Sequence, residues 1–376
     1  MTAGLPRVLL VTAEALGTVS GNDTTIRRFE RRLRERGLVV HLARLPDDGG
    51  VEGVRDAAVA FRPDVVHALH ARHAGPAAVE VARAVGVPLV VSSGGTDIDQ
   101  DPYDEDLRRV VVDVLDAARV LYVAHEEAFR HARALGAGAR VLRVPVAADP
   151  PPSRPAPDPG RFGATPQDTL FLLPAGVRPV KNNAFPLAPI ARLHAEGLSI
   201  RLVLAGPSRD EEYARHLEGL LAGHPCAAWI GSLAPQDLEV LYASADVVLN
   251  GSHSEGGANA VLEAMVRGKC VLASSVPGNE GLLEGGEGRP EAGRLYRAWP
   301  TDDPRVRRHD ADDFLREARD LAVSPSRRHA LGARARERAT VEHSPEGEVE
   351  ALLVGYRVAL AGERGPSARR EGLAPS

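Results

Sequence analysis

The sequence predicts an α/β protein built from two doubly wound domains, each a parallel sheet with helices on both faces. Short runs rich in valine and leucine alternate with helix-like segments, the alternation restarts in the second half, and a proline-rich stretch separates the halves. Strands covered on both faces of a parallel sheet form such nearly continuous apolar runs. At 376 residues the chain also exceeds what one hydrophobic core usually supports.

The first half contains six candidate strands and four candidate helices, and it predicts a domain over residues 1–147. The predicted strands are Arg7–Ala13, Val39–Leu45, Asp64–Leu69, Val87–Ser92, Arg119–Ala124 and Arg140–Val144. The predicted helices are Asp23–Arg36, Gly75–Val85, Glu105–Ala118 and Glu126–Leu135.

Residues 148–167 are predicted to be an interdomain linker, because their many prolines favour extended chain over helix or strand. A second domain is predicted over 168–345. Its predicted strands are Thr169–Leu173, Ile200–Ala205, Ala228–Ile230, Asp246–Asn250 and Cys270–Ser274. Its predicted helices are Ala184–Glu196, Glu211–Leu221, Pro235–Ala243, Gly257–Arg267, Ala311–Ala322 and Ser326–Val341.

The last predicted helix covers 346–362, and we expect it to pack back on the first domain. Residues 363–376 are predicted to be a flexible tail. Because ligands of open parallel sheets bind beyond the carboxyl ends of the strands, two such domains would place their ligands in a cleft between them.

Composition restricts the partners. Only 4% of the residues are aromatic, which disfavours stacking on single-stranded nucleic acid. The net charge of −5 provides no broad cationic field, so a bound phosphate would depend on a few well-placed cations. The sequence therefore favours small-molecule partners, excludes nucleic acid and leaves a homodimer open.

The cysteines and the amino-terminal sequence bear on the cellular compartment of the protein. The two cysteines, Cys226 and Cys270, lie far apart without metal-ligand spacing, so neither a disulfide framework nor a zinc site is predicted. The amino-terminal apolar run is too short for a signal sequence or a membrane span. We expect a cytoplasmic protein without a transmembrane segment.

The first strand of the second domain runs into PAGVRPVKN, which places Arg178 and Lys181 three residues apart in a loop stiffened by Pro179. A guanidinium grips two phosphate oxygens at once, and a lysine adds a mobile positive charge. The pair suits a diphosphate leaving group, although an isolated RxxK is more often a solvated surface loop.

A second signal is NGSHSEGGANAVLEAMVRG, in which a strand, a glycine-rich loop and an apolar helix follow one another. Glycines allow backbone N–H groups to approach a ligand, and the positive end of the helix favours phosphate. Glu255 lies in the loop, where it would meet a sugar, whereas Glu263 lies deeper and could accept hydrogen bonds from both ribose hydroxyls. A helix-capping glutamate and a helix-face carboxylate are the alternative. The predicted donor-binding residues here are Gly256, Gly257, Ala258, Asn259 and Glu263.

Together, AGVRPVKN and SEGGANAVLEAMVRGKCVLASSVPGNEGLL resemble the retaining GT-B glycosyltransferases of family 4, also called glycosyl transferases group 1, which include glycogen synthases and sucrose-phosphate synthases. The resemblance implies a GT-B fold of two Rossmann-like domains and a hexosyltransferase-type reaction. The family's arginine, lysine and two glutamates map onto Arg178, Lys181, Glu255 and Glu263, with a shorter Arg-to-Lys spacing than the usual five.

The resemblance also implies the ligands. The donor would be a nucleotide-diphosphate sugar, UDP- or GDP-linked, and the acceptor a small molecule. We expect no cofactor and no metal, since no DxD-like carboxylate pair stands in a suitable loop. We assign Arg178, Lys181 and Glu255 to catalysis.

A narrower likeness involves SGNDTTIRR, HALHARHAG, SSGGTDIDQD, GVRPVKN and EGGAN with VPGN. These segments are similar to the branch containing the selenosugar synthase of selenoneine biosynthesis and the animal glycosyltransferase-1 domain-containing protein. The likeness implies a sulfur or selenium nucleophile as a candidate acceptor.

The loop after the first strand, ALGTVSGNDTTIRR, contains a glycine hinge at Gly21 followed by residues that can cap a helix. In the resembled family this loop lies over the donor phosphates, which implies donor binding by Gly21 and Asn22. Helix capping by Asp23 is the alternative.

Strand Val87–Ser92 opens into SGGTDID, where many relatives place a histidine near the reacting sugar. Here Thr96 and Asp97 would orient a sugar hydroxyl or accept a proton, so Asp97 joins the catalytic candidates; the alternative is that they hold a glycine-rich turn. His70 and Arg72 follow another strand and, with Thr96, are acceptor-side candidates.

Other activities fit part of this pattern. A nucleotide-sugar epimerase or a sugar phosphorylase would use the same phosphate-binding cations. A non-enzymatic sugar-binding module would share two domains and a cleft, yet it has no use for Arg178 with Lys181.

Overall fold

The structure is a computed structural model in which two compact units are distinguished. Unit 1 comprises Met1–Val146 with Pro345–Ser376, and unit 2 comprises Ala147–Ser344. The structure describes residues 5–18, 20–136, 138–149, 151, 154–297 and 304–362. The predicted tail over 363–376 lies outside the described residues.

Unit 1 is a six-stranded parallel sheet in the order β2-β1-β3-β4-β5-β6, with helices between the strands. Its strands are β1 (Arg7–Thr12), β2 (Val39–Arg44), β3 (Val65–Leu69), β4 (Leu89–Ser92), β5 (Val120–Val123) and β6 (Arg140–Arg143). Its helices are α1 (Gly21–Glu35), α2 (Gly50–Phe61), α3 (Gly75–Val85), α4 (Thr96–Asp99), α5 (Glu105–Ala117) and α6 (Glu126–Ala134), with the carboxyl-terminal α14 (Pro345–Leu360).

Unit 2 repeats this architecture in the order β12-β11-β10-β7-β8-β9. Its strands are β7 (Thr169–Pro174), β8 (Ile200–Ala205), β9 (Ala227–Trp229), β10 (Val247–Asn250), β11 (Cys270–Ser274) and β12 (Arg294–Tyr296). Its helices are α7 (Leu187–Ala195), α8 (Glu211–Leu221), α9 (Pro235–Ser244), α10 (Asn259–Val266), α11 (Pro277–Leu283), α12 (Pro304–Val323) and α13 (Pro325–Glu342). The predicted fold class is therefore confirmed.

Apolar strands explain both sheets. The central strand β3 is buried at every position, as are β10 and β11 in unit 2. All strand pairs are parallel. Helices therefore cover both faces, and each sheet has a core on either side. The strand order reverses direction at β1 in unit 1 and at β7 in unit 2, and loops at such points diverge to leave room for a ligand.

Helices α2, α4 and α11 and strand β12 are not among the elements that the sequence predicts. Helix α2 follows Gly49 and contains two further glycines, Gly50 and Gly53, which lower intrinsic helix propensity. A Cβ on Gly53 would lie 1.7 Å from the Asp48 carbonyl oxygen, so glycine is required where the turn closes. Strand β12 has only three residues, too few for a periodic pattern.

Helix α14 packs on the first sheet as part of unit 1. Tyr122 donates a hydrogen bond to the Leu352 carbonyl at 2.6 Å, and the ring lies so close that a Cβ on Gly355 would approach its hydroxyl to 2.1 Å. A buried ion pair adds a specific contact, because Arg28 of α1 binds both carboxylate oxygens of Glu348 at 2.8 and 2.9 Å.

His67 shares this interface. Its Nδ1 lies 2.7 Å from the Tyr356 hydroxyl and its Nε2 lies 2.8 Å from the Ser92 hydroxyl. Burial lowers the pKa of His67 to about 3, so the ring is neutral at physiological pH. His67 is thus a hydrogen-bonded core residue that ties β3 and β4 to α14.

No helix within the described ranges is both long enough and apolar enough to cross a membrane.

Candidate functional site

The loops after β7 and β10 lie side by side at the carboxyl edge of the second sheet, because these two strands are paired neighbours. The His253 N–H donates to the Val180 carbonyl at 2.9 Å and joins the two loops directly. A Cβ on Gly251 would lie 3.4 Å from the carbonyl oxygens of Lys181 and Asn182, so a glycine suits this close approach. This is the reversal point of the strand order, where parallel sheets bind ligands.

Lys181 and Glu255 meet at this point. The Lys181 ammonium donates to Glu255 Oε1 at 2.6 Å, and the same oxygen accepts from Ser252 Oγ at 2.6 Å and Asn250 Nδ2 at 3.0 Å. Burial alone would raise the pKa of Glu255, but the Lys181 charge and these three donors hold it below its ordinary value. Glu255 is therefore a fixed carboxylate anion, and its Oε2 takes part in none of these three bonds.

Arg178 lies in the same loop with extended backbone, and its N–H donates to Asn183 Oδ1 at 3.3 Å. Its side chain is exposed, and no hydrogen bond or ion pair of the guanidinium is found among the residues described. The structure therefore leaves the Arg178 guanidinium accessible to a ligand, and its link to Lys181 is through the backbone, where the Lys181 N–H donates to the Arg178 carbonyl at 3.0 Å.

A further cation, Arg209, was missed from the sequence. The loop after β8 is joined to the Arg178 loop, since the Val177 N–H donates to the Pro207 carbonyl at 2.8 Å and the Arg209 N–H to the Val177 carbonyl at 3.0 Å. A Cβ on Gly176 would lie 3.0 Å from Arg209 Cγ, so the arginine stem crosses this glycine. Only the strand pairing of β7 with β8 reveals this neighbour.

A buried polar network behind Glu255 was also missed. Asn279 donates to Ser274 O at 2.9 Å and to Asn250 Oδ1 at 3.3 Å, and Ser274 Oγ donates to Ser252 O at 2.6 Å. The VPGN segment supplies Asn279, and the glycine of this segment, Gly278, has a steric role. A Cβ on Gly278 would lie 2.2 Å from the Glu255 carbonyl oxygen, so the loop rests directly on Gly278.

Helix α10 begins at Asn259, after half-buried Gly256 and Gly257 and buried Ala258. Alanine has no side chain that can cap the helix, so the first-turn N–H groups receive no capping bond from that residue. Glu263 follows one turn after Asn259 on the same face. Its Oε2 accepts a hydrogen bond from the Tyr242 hydroxyl at 2.9 Å.

In unit 1, His70 and Thr96 are brought together. His70 has a left-handed backbone (φ 78°), which is rare for a residue other than glycine. Its Nδ1 accepts from the His73 N–H at 3.3 Å, so its Nε2 carries the proton and donates to Thr96 Oγ1 at 3.1 Å. A Cβ on Gly94 would lie 2.5 Å from the His70 ring, so the glycine makes room for this imidazole.

Asp97 is fully buried, with one carboxylate oxygen directed at its own loop and the other at the loop after β3. Its Oδ1 accepts from Ser93 Oγ at 2.7 Å and from the N–H groups of Gly94 and Gly95 at 3.0 Å, while its Oδ2 accepts from the Ala71 N–H at 2.6 Å. The sequence left open whether Asp97 acts in catalysis or holds a glycine-rich turn, and these bonds are the ones expected of a residue that holds the turn. Its assignment as a catalytic proton acceptor has no support in this geometry, because four donors occupy the carboxylate.

Helix α1 begins at Gly21, two residues earlier than predicted. Ser20 caps it by accepting from the Asp23 N–H at 3.0 Å, so the alternative of capping by Asp23 is wrong. Asp23 instead pairs with Arg44 at 2.9 Å. Asn22 lies beside Gly94, where a Cβ would approach its Oδ1 to 3.3 Å.

Arg72 lies on the same edge of the first sheet. Its Nε binds Asp101 Oδ2 at 2.7 Å, and its side chain is about one-third exposed. The acceptor-side candidates His70, Arg72 and Thr96 therefore all lie at the carboxyl ends of β3 and β4, although only His70 and Thr96 are in contact. Among the residues described, no cluster of three His, Cys, Asp or Glu side chains could hold a metal ion.

The segment 169–305 matches the family model described as "Glycosyl transferases group 1". This segment lies within unit 2 and includes Arg178, Lys181, Glu255 and Glu263. A curated relative, Glycosyltransferase 1 domain-containing protein 1 of Xenopus tropicalis, is 29% identical over 115 residues. That alignment spans 31% of this chain and only 33% of the relative.

Solved structures match nearly the whole chain. HepE of Anabaena in complex with UDP and glucose has a TM-score of 0.74 at 14% identity, with 93% of this chain and 99% of that one covered. Sucrose-phosphate synthase of Thermosynechococcus elongatus has a TM-score of 0.75 at 18% identity, with 95% and 100% covered. AviGT4, a glycosyltransferase of avilamycin A biosynthesis, has a TM-score of 0.61 at 21% identity, with 96% and 99% covered. These likenesses show that the fold is GT-B.

The close contact at Gly278 predicts a specific sensitivity. Gly278→Ala should push the Glu255 loop out of place, because the new Cβ would overlap the Glu255 carbonyl. Overpacking of this kind costs about 1–3 kcal/mol, and thermal unfolding should therefore show a Tm several degrees lower.

Gly219→Ala is the matched control for this substitution. Gly219 lies exposed in α8 with open space at its Cβ position, so alanine there should leave Tm unchanged or raise it slightly. Equal Tm values for the two variants would contradict the contact between Gly278 and the Glu255 loop.

Proposed function

We propose that this chain is a glycosyltransferase that binds a nucleotide-diphosphate sugar on unit 2 and transfers the sugar to a small acceptor. The observation that carries the proposal is the Lys181–Glu255 pair at the reversal point of the second sheet, in the segment that matches the glycosyltransferase family model. UDP is a reasonable first nucleotide, because HepE binds it on the same fold.

The diphosphate would be bound by charge and by backbone donors. Arg178 is exposed in the loop after β7, and Lys181 of the same loop binds Glu255 of the neighbouring loop after β10. The N–H groups at the start of α10 add a positive helix end. Together these groups would stabilise the negative charge that develops on the departing diphosphate while the sugar ring becomes cationic. We propose that this needs no metal ion.

Glu255 has a different role in the proposal. Its Oε1 is saturated by three donors, so the carboxylate is fixed in orientation and cannot swing away. Oε2 would accept a hydrogen bond from a hydroxyl of the transferred sugar. Lys181 would then have two roles, because it binds Glu255 and would also bind the phosphate of the donor.

Unit 1 would contribute to the acceptor. Its candidates are His70, Arg72 and Thr96, with Gly21 and Asn22 nearby at the start of α1. A sulfur or selenium nucleophile is the acceptor class that the sequence likeness of these loops favours. Asp97 would support this surface by holding the loop that carries Thr96.

A thermal-shift panel tests donor binding. UDP, GDP and ADP, each alone and with a sugar attached, should raise Tm only where the folded protein binds them. Glu263→Ala should abolish most of this shift, because the ribose would lose its carboxylate acceptor. An unchanged Tm with every compound would contradict the proposal.

Turnover tests the cations. Arg178→Ala and Lys181→Ala should each lower kcat/KM by roughly 10²-fold or more, since each removes a charge that stabilises the leaving group. Arg215→Ala is the control, because within the described part of the chain this exposed arginine of α8 binds only the Glu211 carbonyl of its own helix. Near-normal kinetics in both site variants would refute the assignment. Epimerisation of the donor without an acceptor would indicate an epimerase instead, and cleavage of the donor by added phosphate would indicate a phosphorylase.

We further propose retention of the anomeric configuration, with the acceptor attacking from the face that the diphosphate leaves. The NMR coupling constant of the anomeric proton in the product should therefore match that of the donor sugar. A product of opposite configuration would overturn this part and leave transfer itself intact.

A further inference from the structure

Tyr242 of α9 is fully buried beneath α10, and its hydroxyl lies 2.9 Å from Glu263 Oε2. A buried hydroxyl needs a hydrogen-bond partner, and here that partner is a carboxylate on the face of α10 next to the glycine-rich loop. Burial, together with the neighbouring Glu263 charge, raises the pKa of Tyr242 well above its ordinary value. Tyr242 therefore keeps its proton and donates a hydrogen bond to Glu263.

Arg267 completes a clamp around this pair. Its guanidinium lies over the Tyr242 ring, 4.6 Å from the centroid, and its Nη1 donates to the Glu263 carbonyl at 2.7 Å. Its Nε and Nη2 bind both carboxylate oxygens of Glu239 on α9. These contacts hold α10 against α9 and keep Glu263 Oε2 within hydrogen-bond distance of the Tyr242 hydroxyl.

We propose that Tyr242 is a positioning residue for nucleotide recognition, which fixes the Glu263 carboxylate so that it accepts hydrogen bonds from the ribose hydroxyls of the donor. The inference rests on the proposed function. Glu263 lies one turn beyond the helix start assigned to the diphosphate, and in a nucleoside diphosphate the ribose is the next group along. A carboxylate has about four acceptor positions, so the hydrogen bond from Tyr242 uses only part of its capacity to accept from a vicinal diol.

Calorimetric titration with UDP and with 2′-deoxyuridine diphosphate tests this role, with GDP or ADP and their 2′-deoxy forms used if the panel favours those bases. Wild-type protein should bind the ribonucleotide better, and Tyr242→Phe should weaken ribonucleotide binding about five- to tenfold, the value of one hydrogen bond. The affinity for the 2′-deoxy ligand should fall much less on the same substitution. In turnover, KM for the donor should rise while kcat changes little.

Glu263→Gln, alone and combined with Tyr242→Phe, tests whether Tyr242 acts through Glu263. If Tyr242 acts through Glu263, adding Tyr242→Phe to Glu263→Gln should cause no further loss, so the two effects are not additive. Tyr356→Phe is the matched control, since it also removes a buried hydroxyl bond but in unit 1, and its ribose preference should equal that of the wild type. Thermal unfolding confirms that each variant is folded.

Two results would overturn the inference, and they are distinguishable. If Glu263→Gln loses the ribose preference while Tyr242→Phe keeps it, Tyr242 is a packing residue only and the donor site stands. If the wild-type protein binds none of the diphosphates, the donor site itself is wrong and the role of Tyr242 falls with it.

Discussion

Glu255 Oε1 accepts three hydrogen bonds at once, and the geometry of the second sheet's carboxyl edge depends on this one oxygen. Its donors come from the loop after β7 and from the loop after β10. A mostly buried carboxylate is unfavourable without such partners, because desolvation penalises its charge. The loops are therefore constrained to one arrangement, and the ammonium of Lys181 is constrained with them.

The scaffold around that oxygen is polar and buried. Asn250 and Ser274 are the last residues of β10 and β11, and Asn279 lies in the first turn of α11, which follows β11. A network of this kind favours one conformation over its neighbours, since each alternative leaves a buried donor or acceptor without a partner. Preorganisation of this type is what a leaving-group site requires, because the charge appears on the ligand and the protein must already be aligned.

The sequence was most informative where chemistry follows strand order. Lys181 and Glu255 could be grouped because each comes directly after a buried apolar run, and parallel strands end at one edge. Tyr242, Arg209 and Asn279 could not, because their contacts depend on helix packing and on which strands are neighbours. Asp97 shows a different limit: an aspartate in a glycine-rich loop fits either catalysis or support, and only the direction of its carboxylate separates the two.

The carboxyl-terminal helix gives unit 1 a discontinuous sequence, with unit 2 inserted between its two parts. During synthesis the first sheet is therefore made long before the helix that covers one of its faces. Arg28 is incorporated 320 residues before Glu348, its partner in the ion pair. Until α14 has been made, one apolar face of the first sheet and the Arg28 guanidinium are exposed to water and to other chains, although both are buried in the folded unit. Unit 2, continuous in sequence, does not depend on a segment that is synthesised so much later than the rest of it.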